Sequence, residues 1–171
     1  MTAVRPEPIP TERLILLPLQ VSHADEMAAV LSDPTLHAFI GGAPDTADAL
    51  RARYERWSAG SPDPAESWCN WVIRLRNDDC LVGTVQATVT ADDRGATAEI
   101  SWVVGTSWQR RGIATEAARG LVDWLRQLPV HAVVAHIDPD HRASAAVATA
   151  AGLTATDQWH DGEIRWHLTT G

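Results

Sequence analysis

Residues 103–114 read VVGTSWQRRGIA, and this stretch holds the change of pattern that decides the fold. The residues leading into it, 96–105, form an apolar run typical of a strand. From Gly112 onward, apolar residues recur at steps of three and four up to Pro129, which predicts a helix. A strand that turns through glycine into a helix directs several backbone N–H groups at one place, where the helix dipole also favours negative charge. The sequence therefore predicts an anion site at residues 109–114, the anion loop.

Two common phosphate-binding loops do not match this segment. A Walker loop requires GxxxxGK[ST], and the sequence contains no lysine. A dinucleotide-binding fold requires GxGxxG after an early strand, and that pattern is also missing. Gly112 and Ala114 keep the approach to the anion loop free of bulky side chains, while Arg110 and Arg111 can add charge or remain in solvent.

On both sides of the anion loop the sequence predicts a mixture of strands and helices. Strand-like runs cover residues 13–18, 69–76, 80–90, 96–105, 131–137, 153–159 and 163–169. Helical patterns cover residues 22–31, 45–60, 112–128 and 143–151, with Ser22 as the cap of the first. Since 171 residues with 45% hydrophobic composition can bury one sizeable core, we expect a single domain over residues 1–171.

Composition narrows the class of function and the compartment. The net charge of −8, with arginine as the only strongly basic residue type, argues against a nucleic-acid partner. The acidic surface either attracts cationic substrates or only serves solubility. No apolar run approaches the roughly 18 residues of a membrane span, and the N-terminus lacks a signal-peptide stretch, so we expect no membrane partner and a cytoplasmic protein. In the cytoplasm Cys69 and Cys80 would stay reduced.

The segment QRRGIA at residues 109–114 resembles the (Q/R)xxGx(G/A) acyl-CoA signature of the GCN5-related N-acetyltransferase (GNAT) family. Similarity to its RimJ/RimL-like branch extends over nearly the whole chain, through TERLILLPL, LVGTVQA, AEISWVVG, TEA and SAAVATAAGL. The resemblance implies the α/β (α+β) GNAT fold. In that fold a mixed central sheet of about seven strands is flanked by about four helices, and an acyl-CoA cleft opens where strands four and five splay apart.

The resemblance also implies which residues bind the co-substrate acetyl-CoA. Backbone groups of residues 102–104 would meet the pantetheine arm, the N–H groups of residues 110–114 would meet the pyrophosphate, and residues 131–137 would lie opposite. The implied set is Trp102, Val103, Val104, Gln109, Arg110, Arg111, Gly112, Ile113, Ala114, Thr115, His141 and Ser144. His141 stands where the family commonly has an asparagine, but its ring can still donate or accept a hydrogen bond.

For catalysis, the resemblance implies attack of a primary amine on the thioester, the acceptor being a protein N-terminus or a small-molecule amine such as an antibiotic or metabolite. Glu99 matches an acidic position that serves as a direct or water-mediated base, and strand alternation places it on one face with Ser101 and Val103. The alternative is a structural carboxylate. Ser144 is the local proton donor to the thiolate, although Ser144 could instead cap the helix of residues 143–151 or leave the task to water. The N–H group of Val103 or Val104 would meet the oxyanion.

Three alternatives stay open at this point. The histidines and aspartates of residues 136–141, with His131, could be read as a metal site, but a proline-containing turn explains them and we expect no metal. Many family members supply a tyrosine from the helix after the fifth strand as proton donor to the thiolate, whereas this chain has only Tyr54, far earlier in the sequence. That difference and His141 would also suit a non-catalytic acyl-CoA-binding sensor or assembly module. The terminal hairpin, with Trp159 and Trp166, could form a homodimer, or the protein could be a monomer.

Overall fold

The computed structural model describes residues 3–40 and 42–170, and within them eight strands form one sheet. The strands are β1 (Ile9–Pro10), β2 (Leu14–Pro18), β3 (Glu66–Leu75), β4 (Cys80–Asp92), β5 (Gly95–Val104), β6 (Ala132–Ile137), β7 (Thr154–His160) and β8 (Glu163–Thr169). Their order across the sheet is β1-β2-β3-β4-β5-β6-β8-β7. Each neighbouring pair is antiparallel except β5 and β6, which are parallel. The mixed sheet of the prediction is confirmed.

The seven predicted strands are all present, and the structure adds β1. This strand has two residues and pairs with β2 through Ile9 and Leu16. Its proline-rich sequence hides it from a search for alternating patterns. Strand β3 begins three residues before the predicted start at Cys69, because Glu66, Ser67 and Trp68 also pair with β4.

The described helices are α1 (Ala24–Val30), α2 (His37–Ile40), α3 (Ala47–Ala59), α4 (Ile113–Leu125) and α5 (Arg142–Ala150). The four longer ones match the four predicted helices, and α2 is a single turn that the pattern did not indicate. The prediction of Ser22 as a helix cap is wrong. Ser22 lies inside a 3-10 turn, Val21–His23, that precedes α1. There the backbone N–H of Gln20 donates to His23 Nδ1 at 3.0 Å, a bond within the turn, and α1 starts after it without a side-chain cap from any described residue.

Helices cover both faces of the sheet. On one face α4 buries the apolar stripe predicted from its periodicity, and Trp124 meets Trp71 edge-on with ring centroids 5.2 Å apart. On the other face α1 and α3 enclose a second apolar cluster around Tyr54 and Val72. No helix among the described residues is both long and apolar enough to cross a bilayer.

The parallel contact between β5 and β6 is short, and this positions the site. Only residues 97–99 of β5 pair with residues 132–134 of β6. Beyond Glu99, β5 continues against β4 while β6 continues against β8. The two strands therefore splay apart and leave a cleft, at the place predicted between the fourth and fifth strands of the family pattern.

Candidate active site

A cavity of about 700 Å³ opens where β5 and β6 separate, and α1, α2 and α3 close its outer side. Five of the residues predicted from sequence line it: Glu99, Trp102, Val103, His141 and Ser144. Side chains at alternate positions of β5 share this face, since residues 97, 99, 101 and 103 are the more exposed ones and residues 96, 98 and 100 are buried. The predicted common face of Glu99, Ser101 and Val103 is confirmed.

The backbone of β5 alternates between its two neighbours. The N–H of Gly105 donates to Val82 O on the β4 side at 2.8 Å, whereas Ala96 O accepts from the N–H of His131 on the β6 side at 2.9 Å. Because backbone groups of successive strand residues point to opposite edges, the even-numbered residues of β5 face the cleft.

Because of this alternation, the three residues predicted to contact pantetheine differ in which backbone groups face the cleft. The backbone groups of Trp102 and the N–H of Val104 face the cleft, while the backbone of Val103 faces β4 and its side chain lines the cavity. The carbonyl of Val104 accepts a hydrogen bond from Gln109 Nε2 at 3.0 Å. Gln109 therefore ties the anion loop to the edge of the cleft.

The anion loop reaches α4 through two residues in the left-handed region, Arg110 with φ +64° and Gly112 with φ +76°. Gly112 is the N-cap residue, and no side chain in the described part of the chain caps α4. The first N–H groups of the helix, from Ile113 to Thr115, are therefore left without intrahelical partners at the point where an anion would approach. The side chains of Arg110 and Arg111 lie exposed beside them.

Three residues to which sequence reasoning gave no role hold the anion loop in place. Arg13 Nη1 donates to the carbonyl of Arg111 at 2.9 Å, and Arg13 Nε donates to Glu116 Oε1 at 2.7 Å. The hydroxyl of Thr11 and the backbone N–H of Arg13 both donate to Glu116 Oε2. Burial raises the pKa of Glu116, but the hydrogen bonds from Thr11 and Arg13 outweigh it, and the net shift is downward. The quoted segments TERLILLPL and TEA contained these residues, but a contact between them could not be read from either.

Glu99 meets an unpredicted partner, His136 of β6. Glu99 Oε1 is hydrogen-bonded to His136 Nδ1. The Glu99 side chain is 49% exposed in the cavity and that of His136 is 13% exposed. The His136 ring also packs against His160, with centroids 4.8 Å apart. Which histidine meets Glu99 depends on the register of β5 against β6, which one sequence does not reveal.

After β6, His141 is the N-cap residue of α5, and Ser144 lies in the first turn of this helix. The cap role considered for Ser144 is wrong, because α5 begins at Arg142 and the Ser144 hydroxyl lies 3.4 Å from His141 Nε2. Burial lowers the pKa of His141, while the charge of Asp138 acts to raise it. The neutral ring is therefore favoured, and it can exchange a hydrogen bond with Ser144.

The histidines considered for a metal site are dispersed. His131 Nε2 is 2.7 Å from Asp92 Oδ2 at the start of β6, five residues from His136 and its partner Glu99. Among the described residues, no group of three or more histidine, cysteine, aspartate or glutamate side chains is arranged to hold a metal ion.

The model of a family described as Acetyltransferase (GNAT) domain matches residues 13–154. A Bacillus subtilis protein, "Uncharacterized N-acetyltransferase YnaD", is 24% identical over 146 residues, which cover 85% of this chain and 81% of that protein.

Two solved structures show the same fold. One is RimL, a ribosomal L7/L12 alpha-N-protein acetyltransferase in complex with coenzyme A, with a TM-score of 0.76, 17% identity, and 95% of this chain and 98% of that chain covered. The other is a spermidine N-acetyltransferase from Vibrio cholerae in complex with CoA and spermine, with a TM-score of 0.74, 15% identity, and 94% and 97% covered.

Proposed function

The chain belongs to the GNAT acetyltransferase family, and on that premise we propose that it transfers the acetyl group of acetyl-CoA to a primary amine. The observation that carries the proposal is the junction of two features. The edge of β5 at Trp102 and Val104 faces the cleft, and it leads directly to the uncapped start of α4. An extended arm ending in phosphates fits such a junction.

We assign the pantetheine arm to the β5 edge and the pyrophosphate to the anion loop. The arm would bind as an added strand, since residues 100–104 have β4 on one side and the cleft on the other. The N–H groups of residues 110–114 would meet the phosphate oxygens, with Arg110 and Arg111 adding positive charge. Gln109 fixes the loop, and His141 and Ser144 bound the cleft from the β6 side.

The reaction forms a C–N bond and breaks the C–S bond of the thioester. An amine attacks only as the free base, and a lysine-like amine with a pKa of ~10.4 is neutral in roughly one molecule per few thousand at pH 7. Glu99 is the proposed base, acting directly or through an intermediary. Ser144, supported by His141, is the proposed donor to the departing thiolate. The N–H of Val104 faces the cleft, where it would stabilise the oxyanion.

The acceptor proposed is a cationic amine, either a protein N-terminus or a small molecule. The cavity is lined by the carboxylates Glu99, Asp138 and Glu163. Burial raises the pKa of Glu163, and the charges of Asp138 and Glu99 add to this, while His136 and His160 act in the opposite direction. Such crowding of negative charge is relieved when a cationic group enters. The two structural relatives, one acting on a ribosomal protein and one on spermidine, illustrate the two kinds of acceptor.

We also propose a cytoplasmic site of action and a homodimer. Cys69 and Cys80 are both free thiols, as expected in a reducing compartment. The edge strand β7 carries Trp159, which is 62% exposed and offers an apolar contact to a second copy.

The proposal is tested by following thiol release from acetyl-CoA with a panel of peptide N-termini, polyamines and aminoglycosides. Release that depends on one acceptor class supports the enzyme and identifies the acceptor. Calorimetry with CoA is run in parallel, because tight binding without release for any acceptor would instead support a non-catalytic acyl-CoA-binding module. Two observations favour that second function. Helix α5 contains no tyrosine, and the hydroxyl of Tyr54, which lies on α3, is buried.

A further inference from the structure

We propose that His136 takes the proton from the acceptor amine, and that Glu99 is the positioning residue that holds its imidazole. This inference rests on the proposed function and names the intermediary through which Glu99 acts.

The position of His136 on β6 is the first observation that supports this role. Glu99 is level with Val134 of β6, and His136, two residues further on, shares its face. At this level the two strands part, so the imidazole lies at the mouth of the cleft and lines the cavity.

The second support is the atom that Glu99 contacts. A carboxylate that accepts from Nδ1 fixes the tautomer with its proton on Nδ1, and the lone pair is then on Nε2. When Nε2 takes a proton, the resulting imidazolium stays paired with the carboxylate. This is the arrangement in which a carboxylate orients a histidine base and stabilises its charged form. Histidine is also the side chain that most often takes a proton as a general base.

The third support is the charge around the imidazole. Beside Glu99 on β5, the groups that face it are Asp138 after β6, Glu163 on β8 and His160 on β7, and Arg165 is its register partner on β8. Asp138 and Glu163 place negative charge at the cavity, where a cationic amine would approach the ring. His160 covers one face of the ring, and the His136 side chain is only 13% exposed, so bulk water has limited access.

The acetyl transfer needs no other reactant to account for its protons. The incoming ammonium gives one proton to His136 Nε2 and becomes the free amine. The amine nitrogen then bonds to the carbonyl carbon, and its second proton passes to the thiolate as the C–S bond breaks, with Ser144 as the proposed donor. His136 later releases its proton to solvent, so that one proton is produced per turnover.

The test is the pH profile of kcat/KM for the full-length wild type, His136→Gln and Glu99→Gln with an acceptor that the wild type acetylates. We expect His136→Gln to lose about a hundredfold or more in kcat at pH 7 and to lose the ascending imidazole limb of the profile. Glu99→Gln keeps an acceptor for the Nδ1 proton but no charge. It should therefore keep the limb, displaced to lower pH, with a smaller loss of kcat.

The matched control is His131→Gln, because His131 directly precedes β6, pairs with a carboxylate of its own, Asp92, and is outside the cavity lining. Its profile should equal that of the wild type. CoA binding by calorimetry verifies folding of each variant, and His136→Asn replaces His136→Gln if the latter does not fold. An ascending limb that persists in the His136 variant but vanishes in Glu99→Gln would overturn the inference while leaving the proposed function intact. A wild type that acetylates no amine would overturn both.

Discussion

At the scale of single residues, Glu99 is the group on which the proposed chemistry depends. Glu99→Gln preserves its shape and its contact with His136 but removes the charge that favours proton transfer from the amine. We expect kcat to fall about tenfold to a hundredfold at pH 7, with the Kd for CoA unchanged. Steady-state kinetics and calorimetry measure the two quantities. Asp92→Asn is the control, since it removes the carboxylate of the His131 pair instead. Turnover equal to that of the wild type would remove Glu99 from the mechanism.

The hydroxyl of Tyr54 presents the opposite case, a buried polar group that forms no hydrogen bond within the described residues. The Tyr54 side chain is 1% exposed. Burial raises its pKa to about 12, so the hydroxyl stays protonated at neutral pH.

Tyr54→Phe removes this unsatisfied group while the ring keeps its packing against Trp57. The free energy of unfolding should stay the same or rise by up to ~1 kcal/mol, as measured by urea denaturation at pH 7. Tyr54→Leu is the contrasting variant, since it loses ring contacts and should be less stable. A loss above ~1 kcal/mol in the phenylalanine variant would show that the hydroxyl has a partner in solution.

At the scale of elements, the anion loop depends on the backbone of Gly112. With φ at +76°, an L side chain would be strained there, and its Cβ would also lie 3.4 Å from Arg13 Nη2. We expect Gly112→Ala to lose ~1 kcal/mol of unfolding free energy and about tenfold in CoA affinity. Gly60→Ala is the control, because Gly60 has φ +86° and open space around it, far along the chain from the loop. If both variants bind CoA equally well, the loop is not the phosphate site.

The contact of Glu116 with Thr11 and Arg13 predicts a pH dependence. The folded-state pKa of Glu116 lies below its ordinary value of 4.5, so the charged form is favoured by folding. This stabilisation is fully present above pH 4.5 and is lost as the pH falls through the folded-state pKa. In Glu116→Gln the decline of unfolding free energy on the acid side should be shallower, as measured by urea denaturation at stepped pH. Glu12→Gln, at an exposed neighbouring position, should keep the wild-type slope. Parallel curves for wild type and Glu116→Gln would refute the coupling.

Elements whose signal is local could be predicted, and contacts between distant elements could not. The periodicity of α4 and the alternation of β5 are properties of short windows, so the anion loop and the face of Glu99 followed from sequence. Strand β1 was missed because two residues beside prolines carry no pattern. Ser22 was misassigned because a 3-10 turn, in which the N–H of Gln20 donates to His23 Nδ1, precedes α1. The pairing of Glu99 with His136 needed the register of two strands more than thirty residues apart, and no local pattern encodes it.

At the scale of the whole molecule, the splayed sheet and the acidic composition act together. The net charge of −8 is distributed over the chain, but Glu99, Asp138 and Glu163 concentrate part of it at the cavity. A cationic acceptor should therefore bind more weakly as salt screens these charges. We expect its KM to rise severalfold between low salt and about 0.5 M salt, measured at saturating acetyl-CoA. The comparison is an amine of equal size that carries no charge apart from its reacting amino group. A KM for the cationic acceptor that does not change with salt concentration would argue against recognition by charge.

The reaction proposed for the cleft between β5 and β6 is the transfer of an acetyl group to an amine. Its most direct test is mass spectrometry of acceptors incubated with the wild type and acetyl-CoA that carries a ¹³C-labelled acetyl group. We expect an N-acetylated product that contains the label, formed only when enzyme, acetyl-CoA and a cationic amine are all present. Calorimetric CoA binding together with no labelled product from any peptide N-terminus, polyamine or aminoglycoside would contradict it.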